Sequence, residues 1–285
     1  MALIDNQTFP FSRLWAKNGI KLVADKSDIF SGSNMRCARV QFIAGKNMLT
    51  GIKNWMLAAQ LIEPSEKKNY IITDAAEQII QNDKNLKNSA TWWAIHLQIC
   101  FSNIGEPYAS FFSCLDNQSS EWRKLSDLKK QITEKETLEK HAKASIEKSI
   151  EGVKSMFIGS SPLAGLGMLD IKKWERAGTI DIKLGTPNVP DEVIVYALSL
   201  ARHHKFPSRS SISFRELCQS DFSHFLCMSQ DKLRKRLKEI SHKDRWKNHY
   251  SFTQAVDLES IDFLESLDKN KMLVMLLQEC RDTWL

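Results

Sequence analysis

The segment from residue 33 to residue 73 constrains the fold of this 285-residue chain more than any other. Within residues 46–62, apolar side chains recur at the three- and four-residue spacing of a helix with one buried face. These positions are Met48, Leu49, Ile52, Trp55, Met56, Ala59 and Ile62. A shorter helical pattern at 34–41 and a turn at 42–45 precede it, and a β-rich run at 70–73 follows. This order predicts a winged helix-turn-helix unit whose second helix would enter a DNA major groove.

The polar face of this second helix carries side chains that bind base edges and phosphates, and no acidic residue lies among them. Together with two arginines of the preceding helix, they form the first predicted DNA-binding set: Arg36, Arg39, Lys46, Asn47, Thr50, Lys53 and Asn54. An alternative stays open, because winged units also mediate protein–protein contact and motif matches of this kind have false positives.

The region near the C-terminus repeats this pattern with more charge. Eight lysines and arginines lie between residues 232 and 247 against two acidic residues, a local net charge of +6 that equals the formal excess of the whole chain. Such a concentration suits phosphate neutralisation, although a merely solvated basic helix has the same composition. The second predicted DNA-binding set is Gln230, Lys232, Arg234, Lys235, Arg236 and Lys238.

The helix that carries this second set has a clear start and a clear buried face. Ser229 is a favourable N-cap, and Leu233, Leu237 and Ile240 would point inward. We expect a wing strand at 250–256 and a closing helical region at 261–284.

Three domains follow from these patterns. We predict an N-terminal winged helix-turn-helix domain at 1–110, a middle helical domain with a small hairpin at 111–205, and a C-terminal winged helix-turn-helix domain at 206–285. The segment 206–211 is the best candidate linker. The predicted fold class is mainly α with small β wings, as two to three winged helix-turn-helix units in series.

Several local predictions complete this outline. The first helix would open at residues 8–11, where Pro10 suits the first turn. The middle region would hold helices at 121–130 and 134–157 and a strand at 179–184. His96, beside Trp92 and Trp93, is expected to be a buried packing residue.

Composition places the chain among ordinary globular proteins, with 42% hydrophobic and 26% charged residues and a pI of about 8.9. The six cysteines show no C-x-x-C spacing, which favours reduced, mostly buried thiols over a disulfide or zinc framework. No signal-peptide pattern and no apolar run of membrane-spanning length occurs. We therefore expect a cytoplasmic protein without a membrane partner.

No catalytic residue can be assigned from motifs. The nearest match to a metal-dependent nuclease is Asp170 followed by Asp181-Ile182-Lys183, a short pattern that is common by chance. A solvated hairpin edge is the favoured interpretation of these residues, and no metal ligands are predicted.

Three groups of residues resemble the ordered motifs of a bacterial family formerly labelled only as of unknown function. They are Thr8-Phe9-Pro10-Phe11 with Arg13 and Trp15, Gly45-Lys46-Asn47-Met48 with Ile52 and Trp55, and Asp83-Lys84-Asn85-Leu86 leading into Thr91-Trp92-Trp93-Ala94-Ile95-His96. That family is similar to the SspB-type component of DNA phosphorothioation systems, which replace a non-bridging phosphate oxygen by sulfur. The sequence departs from the pattern at Ile43, where a turn glycine is usual, and lacks the usual glycine and tyrosine near Asp83.

The resemblance implies a DNA-acting component of an anti-phage defence system, with strand nicking attributed to the family. It implies double-stranded DNA as a partner, together with a cysteine desulfurase, an ATPase and a PAPS-reductase-like subunit. No cofactor is assigned; Mg²⁺ or Mn²⁺ is the candidate if nicking is intrinsic, and a nucleophile with an electrostatic clamp on the phosphate is the alternative. Two other hypotheses stay open: a winged-helix transcriptional regulator, and a protein-binding scaffold of the modification complex.

Overall fold

The structure, a computed structural model, describes residues 3–66, 69–118, 121–174, 178–255 and 258–279. About half of the chain is helical. The helices are α1 Arg13–Asp25, α2 Met35–Phe42, α3 Lys46–Ala58, α4 Asp74–Asn82, α5 Ser89–Phe101, α6 Tyr108–Ser113, α7 Leu125–Thr133, α8 Lys143–Ser155, α9 Pro162–Gly165, α10 Asp191–His204, α11 Phe214–Gln219, α12 Phe222–Phe225, α13 Gln230–Ser241 and α14 Lys269–Glu279. A short 3₁₀ turn covers Glu136–Leu138.

The strands form small antiparallel sheets. They are β1 Ile62–Pro64, β2 Tyr70–Ile72, β3 Arg123–Lys124, β4 Leu169–Trp174, β5 Thr179–Leu184, β6 Ser211–Ser213, β7 Tyr250–Ala255 and β8 Leu258–Phe263. β1 pairs with β2, and the two larger sheets have the orders β3-β5-β4 and β6-β8-β7. The prediction of a mainly α chain with small β elements is confirmed.

Helix α5 lies at the centre of the molecule. Every residue from Ala90 to Phe101 is buried, and the helix packs against α6, α9, α10 and α14. A helix that is apolar on all sides can be stable only when neighbours surround it. The buried hydrophobic residues of all three regions of the chain join in one core around it.

His96, on α5, is a packing residue, as predicted. Its Nε2 atom lies 2.7 Å from the carbonyl oxygen of Phe225, which can only accept, so Nε2 carries the proton. Nδ1 therefore accepts a hydrogen bond from the Tyr108 hydroxyl at 2.8 Å. Burial lowers the pKa of His96 to about 4, and the bond to Phe225 opposes this shift only in part. The imidazole is neutral and links α5 to α6 and α12.

The N-terminal segment fastens α3 to α8. Asn6 is fully buried, and its Nδ2 atom donates to the carbonyl oxygen of Ser149 at 3.1 Å. A Cβ atom on Gly152 would lie 2.7 Å from that nitrogen, and one on Gly51 would lie 2.9 Å from the Asn6 carbonyl oxygen. Glycine is therefore needed on both helices for this close approach.

Several predicted boundaries were wrong. Helix α1 begins at Arg13 with Ser12 as its N-cap, so Pro10 lies outside it, and α3 ends at Ala58, which leaves Ile62 in strand β1. The predicted helix 134–157 is shorter, because a 3₁₀ turn precedes α8. The predicted helix 121–130 is displaced to Leu125–Thr133.

At the C-terminus, the predicted helical region 261–284 begins with strand β8, and helix α14 starts only at Lys269. Trp284 and Cys280 lie outside the described residues, as does Val256 of the predicted wing strand. The five described cysteines are free thiols, and all except Cys37 are buried.

Candidate nucleic-acid interface

The first predicted set lies on two consecutive helices. Arg36 and Arg39 are exposed on α2, and Lys46 and Asn47 are exposed in the first turn of α3. Gly45, the N-cap of α3, makes no side-chain cap, and no acidic residue lies in the first turn. The free backbone N–H groups and the helix dipole favour an anion at this end of α3.

Further along α3 the predicted surface is partly covered. Thr50, Lys53 and Asn54 are only half exposed. Asn54 donates to the carbonyl oxygen of Asp5 at 3.0 Å, so its amide holds the N-terminal segment. The Thr50 hydroxyl donates to the Lys46 carbonyl oxygen at 3.3 Å. The part of α3 that is open to a ligand is therefore its N-terminal end.

The turn between α2 and α3 contains Ile43 at φ 51° and ψ 48°. This left-handed conformation is usual for glycine and costly for a β-branched residue. The Ile43 side chain is 85% exposed, so no packing compensates for the cost. The chain makes the turn without a glycine, and the exposed isoleucine lies beside the first turn of α3.

The second predicted set lies on α13, but its two arginines face acidic side chains of the same chain. Arg234 Nε lies 2.8 Å from Glu259, its NH1 lies 2.5 Å from Asp231, and its guanidinium stacks 4.7 Å from the Phe214 ring centre. Arg236 NH2 donates to Asp191 at 2.7 Å and to the carbonyl oxygen of Val189 at 2.9 Å. Both guanidinium groups are thus engaged within the molecule.

Asp191, at the start of α10, forms ion pairs with two cationic side chains. Arg236 and Lys243 both bind its carboxylate. Burial alone would raise the pKa of Asp191, but the hydrogen bonds from Lys243 and Arg236 outweigh it, so the pKa lies below its usual value. A carboxylate in the first turn of α10 also complements the helix dipole.

The other cationic side chains between residues 232 and 247 are likewise either bound to partners within the molecule or exposed. Arg245 binds Glu192 at 3.1 Å and Glu279 at 3.2 Å, and Lys247 binds Asp244 at 2.8 Å. The exposed members of the predicted set are Gln230, Lys232, Lys235 and Lys238. Lys238 donates to Gln254 at 3.1 Å, and Lys235 lies 3.9 Å from Glu239. Within the described ranges, Lys232 makes no ion pair.

The acidic pattern of the middle region forms a hairpin edge. Asp170 pairs with Lys183 across β4 and β5, 3.5 Å apart, and Asp181 accepts from the Trp174 indole at 2.6 Å. In the part of the chain that the structure describes, no three His, Cys, Asp or Glu side chains are placed to hold a metal ion. Asp170 and Asp181 each bind another side chain through Oδ2, and Asp181 Oδ1 is buried without a hydrogen-bond partner among the described residues.

One feature of the middle region was not found by sequence reasoning. Trp122 and Trp174 are each 44% exposed, although tryptophan is among the most buried residue types on average. Side chains alternate between the two faces along β4, and this alternation puts Trp174 on the solvent face. The same alternation in the sequence could have indicated an exposed tryptophan.

The model of a family described as "Protein of unknown function (DUF4007)" matches residues 5–278. No curated protein matches. Two solved structures are similar at a TM-score of 0.74, a magnesium ion-bound SspB crystal structure at 17% identity and an SspB crystal structure at 16%. Each match covers 98% of this chain and 87% of the other.

The described residues contain no helix that is both long enough and apolar enough to cross a bilayer.

Proposed function

Because this chain belongs to the DUF4007 family and shares the fold of SspB, we propose that it is a DNA-binding component of a DNA phosphorothioate modification and defence system. The observation that carries the proposal is the similarity to SspB over nearly the whole chain. The sequence motifs described above support the same assignment. The cysteine desulfurase, ATPase and PAPS-reductase-like subunits of such systems are the proposed protein partners.

We infer that the chain consists of three winged helix-turn-helix units in series. The C-terminal unit would run α10-β6-α11-α13-β7-β8, which moves its proposed start from residue 206 to Asp191. Its sheet order β6-β8-β7 supports this, since a winged helix has its first strand beside its third. The middle unit repeats the sequence of elements as β3-α7-α8-β4-β5, with sheet order β3-β5-β4. The N-terminal unit would use α1, α2 and α3 with β1 and β2 as its wing.

Duplex DNA would bind at the N-terminal end of α3. Arg36, Arg39 and Lys46 offer positive charge there, and the uncapped helix end offers N–H groups to a phosphate. Asn47 has the side chain that pairs with adenine in a major groove.

On α13, only Lys232, Lys235 and Lys238 of the predicted set are proposed to contact DNA. These side chains are exposed, whereas Arg234 and Arg236 are held by carboxylates. Phosphate binding by the two arginines would require breaking those ion pairs. Their intramolecular pairing is also the one observation that favours a second candidate function, a protein-binding scaffold of the modification complex.

The test is a binding assay with fluorescent duplex DNA at low and physiological salt, run beside a supercoiled plasmid with and without Mg²⁺ or Mn²⁺. We expect duplex binding that weakens steeply with salt, because cationic side chains release counterions from DNA. Relaxation of the plasmid only when the metal is present would support intrinsic nicking. Tight binding to one sequence alone would favour a transcriptional regulator, and absence of duplex binding would favour the scaffold.

The informative variant changes Lys46, Lys232 and Lys235 to Gln. A control that removes two charges changes Lys129 and Lys154 to Gln, because both lysines form ion pairs with Glu151. Loss of duplex binding in the first variant and retention in the second would support the proposed surface. Equal losses, or none, would overturn it.

A further inference from the structure

The outward side of the sheet β3-β5-β4 is not used by the proposed duplex contacts. Ile182 on β5 is fully buried, so the side chains that alternate with it lie on the opposite face of the sheet, where they are partly exposed. Paired strands place Lys124 and Lys172 on either side of Asp181, and Asp170 beside Lys183. We call this surface the tryptophan face: Trp122, Lys124, Asp170, Lys172, Trp174, Asp181 and Lys183.

Two exposed indole rings lie at opposite corners of the tryptophan face. Trp174 pairs with Thr179 on β5, while Trp122 precedes Arg123, the partner of Ile182, and so lies beside Lys183. Strand geometry separates the two tryptophans by roughly 13 Å along β5 and roughly 10 Å across the sheet. Neither ring is packed into the core.

Each ring has a lysine amine over one of its faces, so a base would stack on the opposite face. Lys172 Nζ lies 3.7 Å from the Trp174 ring centre, and Lys183 Nζ lies 5.0 Å from the Trp122 ring centre. The Trp174 indole N–H is held by Asp181, which fixes the ring orientation. Rings that are fixed before binding lose little side-chain entropy when a ligand stacks on them.

The tryptophan face has more lysines than carboxylates. Asp170 is bound to Lys183, and Asp181 is bound to Trp174. Three lysines against two aspartates give a formal charge of +1 on the face, which suits an anionic ligand. Stacking rings with adjacent amines match a polymer that alternates flat bases with phosphates.

We propose that the tryptophan face binds single-stranded DNA, with unpaired bases stacked on Trp122 and Trp174 and phosphates beside Lys124 and Lys172. A duplex cannot use the rings, because its bases are already stacked and paired. The choice of DNA over RNA rests on the proposed function; the choice of a single strand rests on the exposed rings. This face would hold a strand that has been separated from its complement.

A pocket of about 340 Å³ borders Trp122 and strengthens the proposal. Its lining combines Arg123, Lys183 and His224 with the carboxylates of Asp116 and Glu121. A base that stacks on Trp122 would have polar side chains at its edge here. Arg123 is itself held in place, since it donates to the Cys114 carbonyl oxygen at 2.6 Å.

The test is fluorescence anisotropy of the full chain with labelled oligothymidylate of about ten nucleotides, a length within the range that single-strand sites cover. The variants are Trp122→Ala, Trp174→Ala and the double change. We expect each single change to weaken oligonucleotide binding by about tenfold or more and to leave duplex binding unchanged. Leu14→Ala, which removes a 56% exposed apolar side chain from α1, should change neither.

A second pair of variants guards against misfolding. Trp122→Phe and Trp174→Phe keep an aromatic ring and should retain most of the affinity, so a loss equal to that of alanine would overturn stacking. Wild-type protein that binds duplex but not oligothymidylate would overturn this inference and leave the proposed function standing. Binding of oligouridylate RNA in preference to oligothymidylate would overturn the assignment to DNA. Loss of duplex binding alone, in the Lys46, Lys232 and Lys235 variant, would bear only on the proposed function.

Discussion

Arg236, in the middle of the most basic helix of the chain, donates to Asp191 at the start of α10 across 2.7 Å. The guanidinium therefore links α13 to α10, although the two residues are 45 positions apart in the sequence. Lys235, the neighbouring residue, has a side chain that is 78% exposed. Adjacent cations on one helix thus have different roles, and their substitutions should separate stability from DNA binding.

Replacing Arg236 with Gln should lower the free energy of unfolding by about 1–2 kcal/mol, because Asp191 loses a charged hydrogen bond in a partly buried site. The same change at Lys235 should alter stability by less than about 0.5 kcal/mol. Chemical denaturation of the two variants measures both effects. A larger loss at Lys235 than at Arg236 would contradict the assigned roles.

The same pair gives the opposite result in DNA binding. Lys235→Gln should lower the slope of log affinity against log salt by about one unit, as expected for one lost phosphate contact. Arg236→Gln should leave that slope unchanged. Binding isotherms at several salt concentrations test this, and a slope change at Arg236 would show that its ion pair opens on DNA.

Ile43→Gly should stabilise the protein by about 0.5–1 kcal/mol. The left-handed backbone costs isoleucine roughly 1–2 kcal/mol, and glycine recovers this at a smaller cost in unfolded-state entropy. Val40→Gly is the matched control, since Val40 is 70% exposed but lies inside α2, where glycine should destabilise by about 1 kcal/mol. Thermal unfolding distinguishes the two signs, and a loss of stability at Ile43→Gly would mean that its side chain has a packing role.

His96 should make the protein less stable in acid. Its pKa is about 4 in the folded state against 6.5 as the model value, so between these pH values the unfolded chain binds the extra proton. Stability therefore falls as pH decreases through this window, by about 3 kcal/mol in total for this residue. Burial also lowers the pKa of His204 to about 4, which adds a change of the same sign.

The measurement for His96 is the pH dependence of the unfolding free energy in the wild type and in His96→Gln. The variant is expected to be less stable at pH 7 but to have a shallower slope between pH 6.5 and 4, by up to about 1.4 kcal/mol per pH unit. Exposed His242→Gln is the control that should keep the wild-type slope. Identical slopes in all three proteins would contradict a neutral buried imidazole.

Local periodicity was enough to locate most helices, because a helix with one buried face has apolar residues at three- and four-residue spacing in the sequence. It identified α13 together with its N-cap Ser229, whose side chain accepts from the Lys232 amide. It predicted a hairpin edge at Asp170 but not the bounds of β4, whose residues Leu169–Trp174 include two lysines and an aspartate on a short edge strand. Leu138 lies within the predicted helix 134–157 but belongs to a 3₁₀ turn, because tertiary packing can bury an apolar residue outside a regular helix.

The candidate site was harder to predict than the fold, since charge in a sequence does not reveal its partner. Arg234 is paired with Glu259 and Arg236 with Asp191, contacts that only the folded chain brings together. Asn54 likewise has a partner 49 residues away. Residue type therefore predicted a basic helix, while the choice of which cations stay free was made by tertiary structure.

Gly152 and Gly51 should both resist substitution by alanine, because each faces Asn6 across a gap too short for a Cβ atom. We expect losses of about 1–3 kcal/mol for either change. Gly32→Ala is the control, since open space surrounds that position and the change should be close to neutral.

The origin of the clash differs between Gly152 and Gly51, and this difference allows a stricter test. A Cβ on Gly152 would meet the Asn6 side chain, so Asn6→Ala should relieve much of the cost of Gly152→Ala. A Cβ on Gly51 would meet the Asn6 backbone, so Gly51→Ala should cost as much in the Asn6→Ala background as in the wild type. Double-mutant cycles from denaturation measure both couplings, and equal coupling at the two glycines would refute this account of how the N-terminal segment joins α3 to α8.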